Sequence, residues 1–156
     1  NYQYVIYPFN NEGEIKNFDK KVKNDNSYTI LKADEIAHIV KDEKTNTTGY
    51  VVFEADKNLE NGILKSVSKP ALIMARKDGV SKTTLSVVQP DLNFEQIKNN
   101  RFKNFSRPVK FSIILNGKWS APITENVLSV DFSSGETIIS LELKDGLSHE
   151  IMLMKQ

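Results

Sequence analysis

The sequence predicts an all-β fold, an antiparallel β-sandwich with one short N-terminal helix. Three observations favour this fold class. Short apolar or alternating segments recur at spacings of about 8–12 residues, as in sandwiches and barrels. Turn sequences containing Gly, Asn, Asp and Pro separate these segments, and helical periodicity is confined to one stretch near the amino terminus. The chain has 156 residues, which is enough to bury the core of one two-layer domain.

The amino-terminal part is predicted to contain one strand and one helix. Tyr2–Tyr7 is rich in aromatic and β-branched residues and stops at Pro8, which cannot donate to a strand ladder. From Glu12 to Lys23, apolar side chains recur at i, i+3 and i+7 among charged ones, which is the pattern of an amphipathic helix. The apolar positions of this helix are Ile15, Phe18 and Val22.

The polar run after the predicted helix, residues 24–27, indicates a domain boundary. We expect residues 1–23 to be the tail of a preceding domain with its connecting helix. Residues 24–156 are expected to form the sandwich domain, with its first strand near Tyr28. The chain begins at Asn1 rather than Met and has no basic-then-apolar leader, so we interpret it as a fragment or a processed chain.

Five strands are predicted in the middle of the chain, each bounded by turn residues. They are Ile36–Asp42, Tyr50–Ala55, Ile63–Val67, Ala71–Arg76 and Thr84–Val88. The first two flank a polar sequence, Thr45–Gly49, which predicts a hairpin with a longer loop. Asn93 is a residue type that caps helices, and we expect a brief turn of helix from it to Ile97.

The last third of the chain shows the clearest alternation. A strand is predicted from Val109 to Leu115, where every second residue is apolar. Asn116–Gly117 follows and is a strong signal for a type I′ hairpin turn before Lys118–Trp119. Three further strands are predicted, at Leu128–Phe132, Ile139–Leu143 and Ile151–Leu153.

The composition excludes several classes of function. Lys and Arg total 21 against 20 Asp and Glu, so the formal net charge of +1 produces no strong field to attract nucleic acid or an anionic membrane. The absence of cysteine removes disulfides and thiolate chemistry. The apolar runs are far shorter than the roughly 20 residues of a membrane span. We expect no cofactor, no nucleic-acid partner and no membrane span.

No catalytic or metal-binding motif is present in the sequence. His38 and His149 lie in strand-like segments, and neither has a second histidine at ligand spacing. We interpret His38 as a strand residue that faces solvent or is hydrogen-bonded at a sheet edge. Nucleophile-elbow, Walker and dinucleotide-binding glycine patterns are missing as well. We therefore predict no catalytic residue and no metal site in this chain.

Two features are candidates for binding sugar, because pyranose rings stack on aromatic faces and anionic sugar groups accept hydrogen bonds from Arg and Lys. The first is Trp119, for which the alternative is a core position, the commoner place for a lone Trp. The second is the basic grouping of Arg101, Lys103 and Arg107, interleaved with two phenylalanines. Its alternative is a solvated loop anchored by those phenylalanines.

Four stretches, in order along the chain, carry a family resemblance. They are Tyr2–Pro8, Ile36–Val40 with Gly49–Phe53, Val67–Met74 continuing to Gln89–Asn93, and Ile114–Trp119. Together they resemble the end of polysaccharide lyase family 8, and within it the chondroitin ABC lyases. The first resembles the last strand of the family's central β domain, and the second resembles the hairpin that begins the final domain. The third is the most specific match, and the fourth resembles a hairpin near the chain end.

The resemblance implies a multidomain enzyme that cleaves chondroitin, dermatan or hyaluronan by β-elimination and leaves an unsaturated uronide. The family's catalytic groups belong to a helical toroid and the start of the central β domain, and no position here matches their motifs. The implied role of this chain is the non-catalytic C-terminal β-sandwich, inactive alone and partnered by the catalytic domains of the parent lyase. The alternative is a carbohydrate-binding module that holds the glycosaminoglycan. Secretion or a periplasmic location is implied by the same resemblance.

Overall fold

The computed structural model describes residues 28–94, 96–97, 101–102 and 106–156, together with Gly13, Lys16 and Asn17. The described residues from Tyr28 onward form β-strands joined by turns and loops, so the all-β prediction is confirmed. The strands are β1 (Tyr28–Ala33), β2 (Ala37–Asp42), β3 (Thr47–Val52), β4 (Leu64–Val67), β5 (Ala71–Lys77), β6 (Lys82–Val88), β7 (Gln96–Ile97), β8 (Arg101–Phe102), β9 (Val109–Asn116), β10 (Trp119–Ser120), β11 (Val127–Ser133), β12 (Glu136–Leu143) and β13 (His149–Lys155).

The strands pair into two large antiparallel sheets and one small hairpin. The larger sheet has seven strands in the order β1-β2-β3-β5-β6-β13-β10, and the smaller has four in the order β11-β12-β9-β4. The third unit is the pair β7-β8. All pairings are antiparallel, as expected for strands joined mainly by short turns.

The two large sheets share one hydrophobic core, which makes the fold sandwich-like. Inward positions alternate with outward ones along the central strands, for example in β6, β9 and β12. The core cluster joins residues from both sheets, such as Ile39 and Leu85 of the larger sheet with Ile113 and Leu141 of the smaller. Burial of these aliphatic side chains is the main force holding the layers together, at roughly 1.5–3 kcal/mol for each fully buried side chain.

The predicted hairpin between the second and third strands is confirmed. β2 and β3 pair in regular register from Ala37↔Val52 to Asp42↔Thr47. In the turn, the Asp42 carboxylate accepts hydrogen bonds from the backbone N–H of Lys44 and the hydroxyl of Thr45. Asn46 takes a left-handed backbone conformation, with φ of 51°, which Asn tolerates better than most residues.

The turn of helix predicted from Asn93 to Ile97 is wrong. Gln96–Ile97 is a strand that pairs with Arg101–Phe102. Asn93 has φ of 47°, in the left-handed region, whereas a helix cap has an extended backbone. Its side-chain amide donates to the carbonyl of Pro108, so it ties this loop to the start of β9 and does not cap a helix.

The hairpin predicted at Asn116–Gly117 is also wrong, although a turn occurs there. A type I′ turn needs positive φ at both central residues, and of these two only Gly117 has it, at 87°. β9 pairs with β12 and β4, while the next strand, β10, pairs with β13 in the other sheet. The chain therefore crosses from the smaller sheet to the larger one at Gly117.

The predictions for the amino terminus fall mostly outside the described residues. The strand expected at Tyr2–Tyr7 lies there entirely. Of the helix expected from Glu12 to Lys23, the structure describes Gly13, Lys16 and Asn17, which have helical backbone and are exposed. Among the described residues, no helix is long and apolar enough to cross a membrane.

Candidate functional surfaces

Trp119, the aromatic candidate for sugar stacking, lies in the core. It is 8% exposed and belongs to the core cluster. Its indole Nε1 donates to the carbonyl of Asn116 at 2.8 Å, and its backbone N–H donates to the hydroxyl of Thr137 at 2.8 Å. The ring and both of its nearest polar groups are thus used inside the protein, and the structure bears out the core alternative.

The basic candidates belong to the segment of the chain between β6 and β9. Arg101 belongs to β8, and Lys103 falls outside the described residues. Arg107 is exposed, and its backbone N–H donates to the carbonyl of Leu92 at 3.1 Å. The loop is further tied down beside it, because the hydroxyl of the buried Ser106 donates to the carboxylate of Asp145. Arg107 is therefore presented to solvent from an anchored loop.

The two histidines do not come together. His38 faces solvent on β2, as predicted, and its ring meets the ring of Phe53 edge-on with centroids 5.0 Å apart. His149 is half-buried at the start of β13, opposite Val87 of β6. Because the two side chains occupy opposite faces of the sheet, neither supplies a second ligand or a general base for the other.

The carboxylates with altered pKa are structural acceptors at the surface. The hydroxyl of Thr45 holds the pKa of Asp42 below its usual value, and the hydroxyl of Thr84 does the same for Asp78, helped by the Arg76 guanidinium. A lowered pKa keeps both groups ionised at neutral pH, which is the opposite of what a general acid needs. In the part of the chain that the structure describes, no three His, Asp or Glu side chains are grouped to hold a metal ion.

The most distinctive surface is the outer face of the seven-stranded sheet, which is turned away from the smaller sheet. Nine large apolar side chains that are more than one third exposed lie on this face, among polar residues such as Asp42, Arg76 and Glu150. The nine apolar side chains are Tyr28, Ile30, Val40, Val51, Phe53, Leu72, Met74, Met152 and Met154. A concentration of exposed apolar side chains on one face of a sheet indicates an interaction surface, since monomeric proteins rarely expose apolar patches beyond a few hundred Å².

A shallow groove of about 510 Å³ crosses this outer face at right angles to the strands. Two cross-strand rows line it, and Gly49 stands where the second row would otherwise carry a side chain. The first row includes Tyr28, Asp42, Thr47, Arg76 and Thr84, and the second includes Val40, Gly49, Met74, Ser86 and Glu150. We call this feature the transverse groove.

The sequence carried a signal for this face that the strand predictions did not use. Val51–Val52–Phe53, Ala71–Ala75 and Ile151–Met154 are continuous apolar runs, without the polar residue at every second position that a half-solvated strand shows. Such runs are typical of strands that are covered on both faces. The sequence of these strands is therefore typical of a sheet whose outer face is covered as well as its inner face.

Comparison with known proteins relates the chain to much longer enzymes. It is 28% identical to a chondroitin sulfate ABC exolyase of Bacteroides thetaiotaomicron, over 99% of this chain and 17% of the relative. It is also 28% identical to a chondroitin sulfate ABC endolyase of Proteus vulgaris, over 97% of this chain and 14% of the relative. The chain thus spans about one sixth of the length of these curated relatives. No family model matches it.

The fold also occurs in a protein whose sequence identity to this chain is low. A crystal structure of the chondroitin AC lyase of Streptomyces coelicolor, in complex with chondroitin sulphate, superposes with a TM-score of 0.63 at 16% identity. The match covers 88% of this chain and 16% of that one. At this identity the likeness shows a shared fold.

Proposed function

We propose, starting from the homology of this chain to the chondroitin sulfate ABC lyases, that it forms a non-catalytic β-sandwich domain of a glycosaminoglycan lyase. In this proposal the domain packs against the catalytic domains of the parent enzyme and supports the substrate cleft without contacting the reacting bond. Cleavage by β-elimination, membership of polysaccharide lyase family 8, and secretion or a periplasmic location are parts of the same proposal.

The observation that carries the proposal is the apolar outer face of the seven-stranded sheet. Leu72 and Met74 of β5 and Met152 of β13 are each more than 40% exposed there, on the two strands that flank β6. Burying such side chains against another domain is favourable by about 25 cal/mol for each Å² of apolar surface removed from water. Covering this face with another protein domain is therefore more favourable than leaving it in contact with water.

The chemistry of the described side chains supports a non-catalytic role. β-Elimination requires a base to remove a proton and an acid to protonate the leaving oxygen, held within about 3 Å of the substrate atoms that they serve. The histidines are on opposite faces of the larger sheet, and Asp42 and Asp78 are held ionised by neighbouring donors. These four groups do not converge on a common cleft.

The purified chain tests the proposal directly. Incubated with chondroitin sulfate, it should release no unsaturated uronide, measured by the ultraviolet absorbance of that product, while a complete chondroitin lyase under the same conditions releases it. Product formation by the chain, lost on heat denaturation, would show that it contains a catalytic centre and would overturn the proposal.

A second test addresses the supporting role in the parent lyase. Leu72→Lys places a charge on the outer face, and Leu128→Lys is the matched change on an exposed strand of the other sheet. We expect Leu72→Lys to lower the thermal stability and the activity of the parent, because a buried unpaired charge is costly. Equal effects of the two substitutions would contradict packing through the outer face.

The second candidate function is a carbohydrate-binding module. The observation that favours it is the exposure of Arg107 on an anchored loop. Titration of the chain with chondroitin oligosaccharides should then show saturable, salt-sensitive binding that Arg101→Ala together with Arg107→Ala removes. Trp119→Ala is unsuitable for this purpose, because the ring is part of the core. Absence of binding at millimolar oligosaccharide would eliminate this candidate.

A further inference from the structure

The smaller sheet has an open edge along β11, from Val127 to Ser133. We propose that this edge is a homodimer interface, in which β11 pairs antiparallel with β11 of a second copy and joins the two four-stranded sheets into one continuous sheet. The edge belongs to the smaller sheet and is separate from the apolar outer face of the larger one. The inference therefore does not rest on the lyase function.

The backbone of β11 is only half used by the rest of the fold. The N–H of Glu142 donates to the carbonyl of Asn126, so Glu142 and every second residue of β12 before it bond toward β11. Through the register of the two strands, Asp131 turns its own N–H and C=O toward β12. Val130 and Phe132 turn theirs to the opposite side, where no described strand pairs with β11. These groups form a template for another strand.

The side chains along this edge are apolar and incompletely covered. Phe132 lies opposite Thr137 of β12, whose side chain is fully buried, so Phe132 points to the core side of the sheet, yet it is 52% exposed. The backbone N–H of Trp119 in β10 donates to Thr137, which places β10 over β12. Because β10 is the edge of the larger sheet and has two residues, little of that sheet reaches over β11. A second copy would cover the side chains that remain open.

β11 has few of the devices with which proteins protect a sheet edge. Its seven residues include no Pro, Lys or Arg, and Asp131 carries its one charge. The register with β12 shifts between Val127 and Ser129, and it is regular from Ser129 to Ser133. The greater part of the strand is therefore straight enough to pair on its open side.

Charge and length select one register for the pair. A two-fold axis through Asp131 would set the two carboxylates directly opposite each other, which is unfavourable. An axis through Val130, the middle residue of the strand, pairs all seven residues and sets Asp131 opposite the uncharged Ser129 of the second copy. The same register sets Phe132 opposite Leu128, and both side chains are more than 40% exposed. The two copies of Val130 then exchange backbone hydrogen bonds.

Proline substitution tests the backbone pairing. Val130→Pro removes an N–H that points to the open edge, so the chain should still fold, because proline is tolerated on the free side of an edge strand. It should weaken dimerisation about tenfold or more, since two hydrogen bonds are lost by symmetry. The matched variant Asp131→Pro removes an N–H that bonds to β12 and should lower the thermal stability of the fold itself. Light scattering over a concentration series measures the mass in solution.

Two lysine variants separate this interface from the outer face. Leu128→Lys sets a charge opposite Phe132 of the second copy and should weaken the dimer, with retained Trp119 fluorescence as the check of folding. Leu72→Lys should leave the dimer unchanged, because Leu72 lies on the outer face of the larger sheet. A dimer that is lost in Leu72→Lys and kept in Leu128→Lys would overturn this proposal and leave the lyase proposal standing.

Disulfide trapping fixes the register, because the natural chain has no cysteine. Opposite residues of a hydrogen-bonded antiparallel pair have Cα atoms about 5.5 Å apart, which is within disulfide range. Under mild oxidation, Val130→Cys should form a linked dimer about tenfold faster than Val80→Cys, because pairing holds its thiols together. Val80 is the stricter control, since it is fully exposed in the turn before β6 and Val130 is half-buried.

Three results would overturn the homodimer. They are equal rates of disulfide formation in the two cysteine variants, a natural chain that stays monomeric up to millimolar concentration, and assemblies that grow beyond two chains. The last result counts because pairing about a two-fold axis uses up both edges and closes the assembly. None of the three bears on the lyase proposal, since neither substrate nor a catalytic domain takes part in these measurements.

Discussion

Gly62→Ala adds one methyl group at a position where the structure has no room for it. Gly62 has φ of 75°, which is in the left-handed region. A Cβ built on it would lie 2.2 Å from the hydroxyl oxygen of Tyr50, far inside van der Waals contact. Tyr50 is 2% exposed and packed in the core, so its ring has little freedom to move away. Both the backbone and the neighbouring side chain therefore oppose the substitution.

The loss in free energy of unfolding expected for Gly62→Ala has two parts. An L-residue in the left-handed region costs about 1–2 kcal/mol, and forcing an extra methyl into a packed core costs about 1–3 kcal/mol. The lower chain entropy of the unfolded alanine variant offsets up to about 1 kcal/mol of this. We expect Gly62→Ala to lower the free energy of unfolding by about 2–4 kcal/mol.

A second substitution separates the two parts. Tyr50→Phe removes the clashing oxygen, and the next ring atom, Cζ, would lie 3.4 Å from the added Cβ, which is ordinary contact. The Tyr50 hydroxyl forms no hydrogen bond of normal geometry among the described residues, so its loss alone should change stability by less than about 1 kcal/mol. In the Tyr50→Phe background, Gly62→Ala should therefore cost only about 1 kcal/mol, the backbone share.

Urea unfolding followed by the fluorescence of Trp119, the single tryptophan, measures all four proteins of this cycle. We expect the two sites to be coupled, with Gly62→Ala costing less stability in the Tyr50→Phe background than in the natural chain. An equal cost of Gly62→Ala in both backgrounds would refute the steric explanation.

Three further changes probe the same structure. Thr137→Val removes a fully buried hydroxyl that accepts from the Trp119 N–H and donates to the carbonyl of Gly117, and it should cost about 1–3 kcal/mol in thermal unfolding; a neutral result would contradict its bridging role. Trp119→Ala should cost about 3–5 kcal/mol, and a loss below 1 kcal/mol would contradict its core position. The pKa of Asp34 is lowered, mainly because its carboxylate accepts a hydrogen bond from the backbone N–H of Ala37. The stability that this carboxylate contributes is therefore present above the ordinary carboxyl pKa and is lost as the pH falls through the lowered pKa. Asp34→Asn should flatten the acid side of the profile of unfolding free energy against pH, and an unchanged profile would contradict this role of Asp34.

The longer strands were predictable because local sequence determines them, whereas β7 was expected to be helical and β8 was not predicted. In β9 every second residue from Val109 to Leu115 is apolar, and each of these inward residues is buried. The hairpin of β2 and β3 was equally clear, since a polar loop separates two apolar runs. What local sequence does not contain is the pairing between sheets, and the turn at Asn116–Gly117 shows this. A glycine with positive φ serves a hairpin and a crossing between sheets equally well, and only the partner of the following strand decides which occurs.

The functional surfaces were less predictable for a related reason. Trp119 beside a turn suits both a rim position and a core position, and its burial depends on β12 and β13, which come later in the chain. The outer face was visible in principle, because β5 and β13 contain the continuous apolar runs Ala71–Ala75 and Ile151–Met154. Recognising it requires asking of each strand whether both of its faces are apolar, which a search for alternation does not do.

The place of β13 in the larger sheet has a consequence for how the domain reaches its native state. Of the described strands, His149–Lys155 is the last in chain order and the last of them to leave the ribosome, yet it lies between β6 and β10 and pairs with both. Until it emerges, β6 has an open edge that is competent to pair with another chain, and Trp119 has no strand beside it. We expect folding of the larger sheet to be slow and to be completed only once β13 has emerged, because this step joins segments far apart in the sequence. A nascent chain that stalls before His149 is the species most exposed to aggregation, and it is the one on which a chaperone would act.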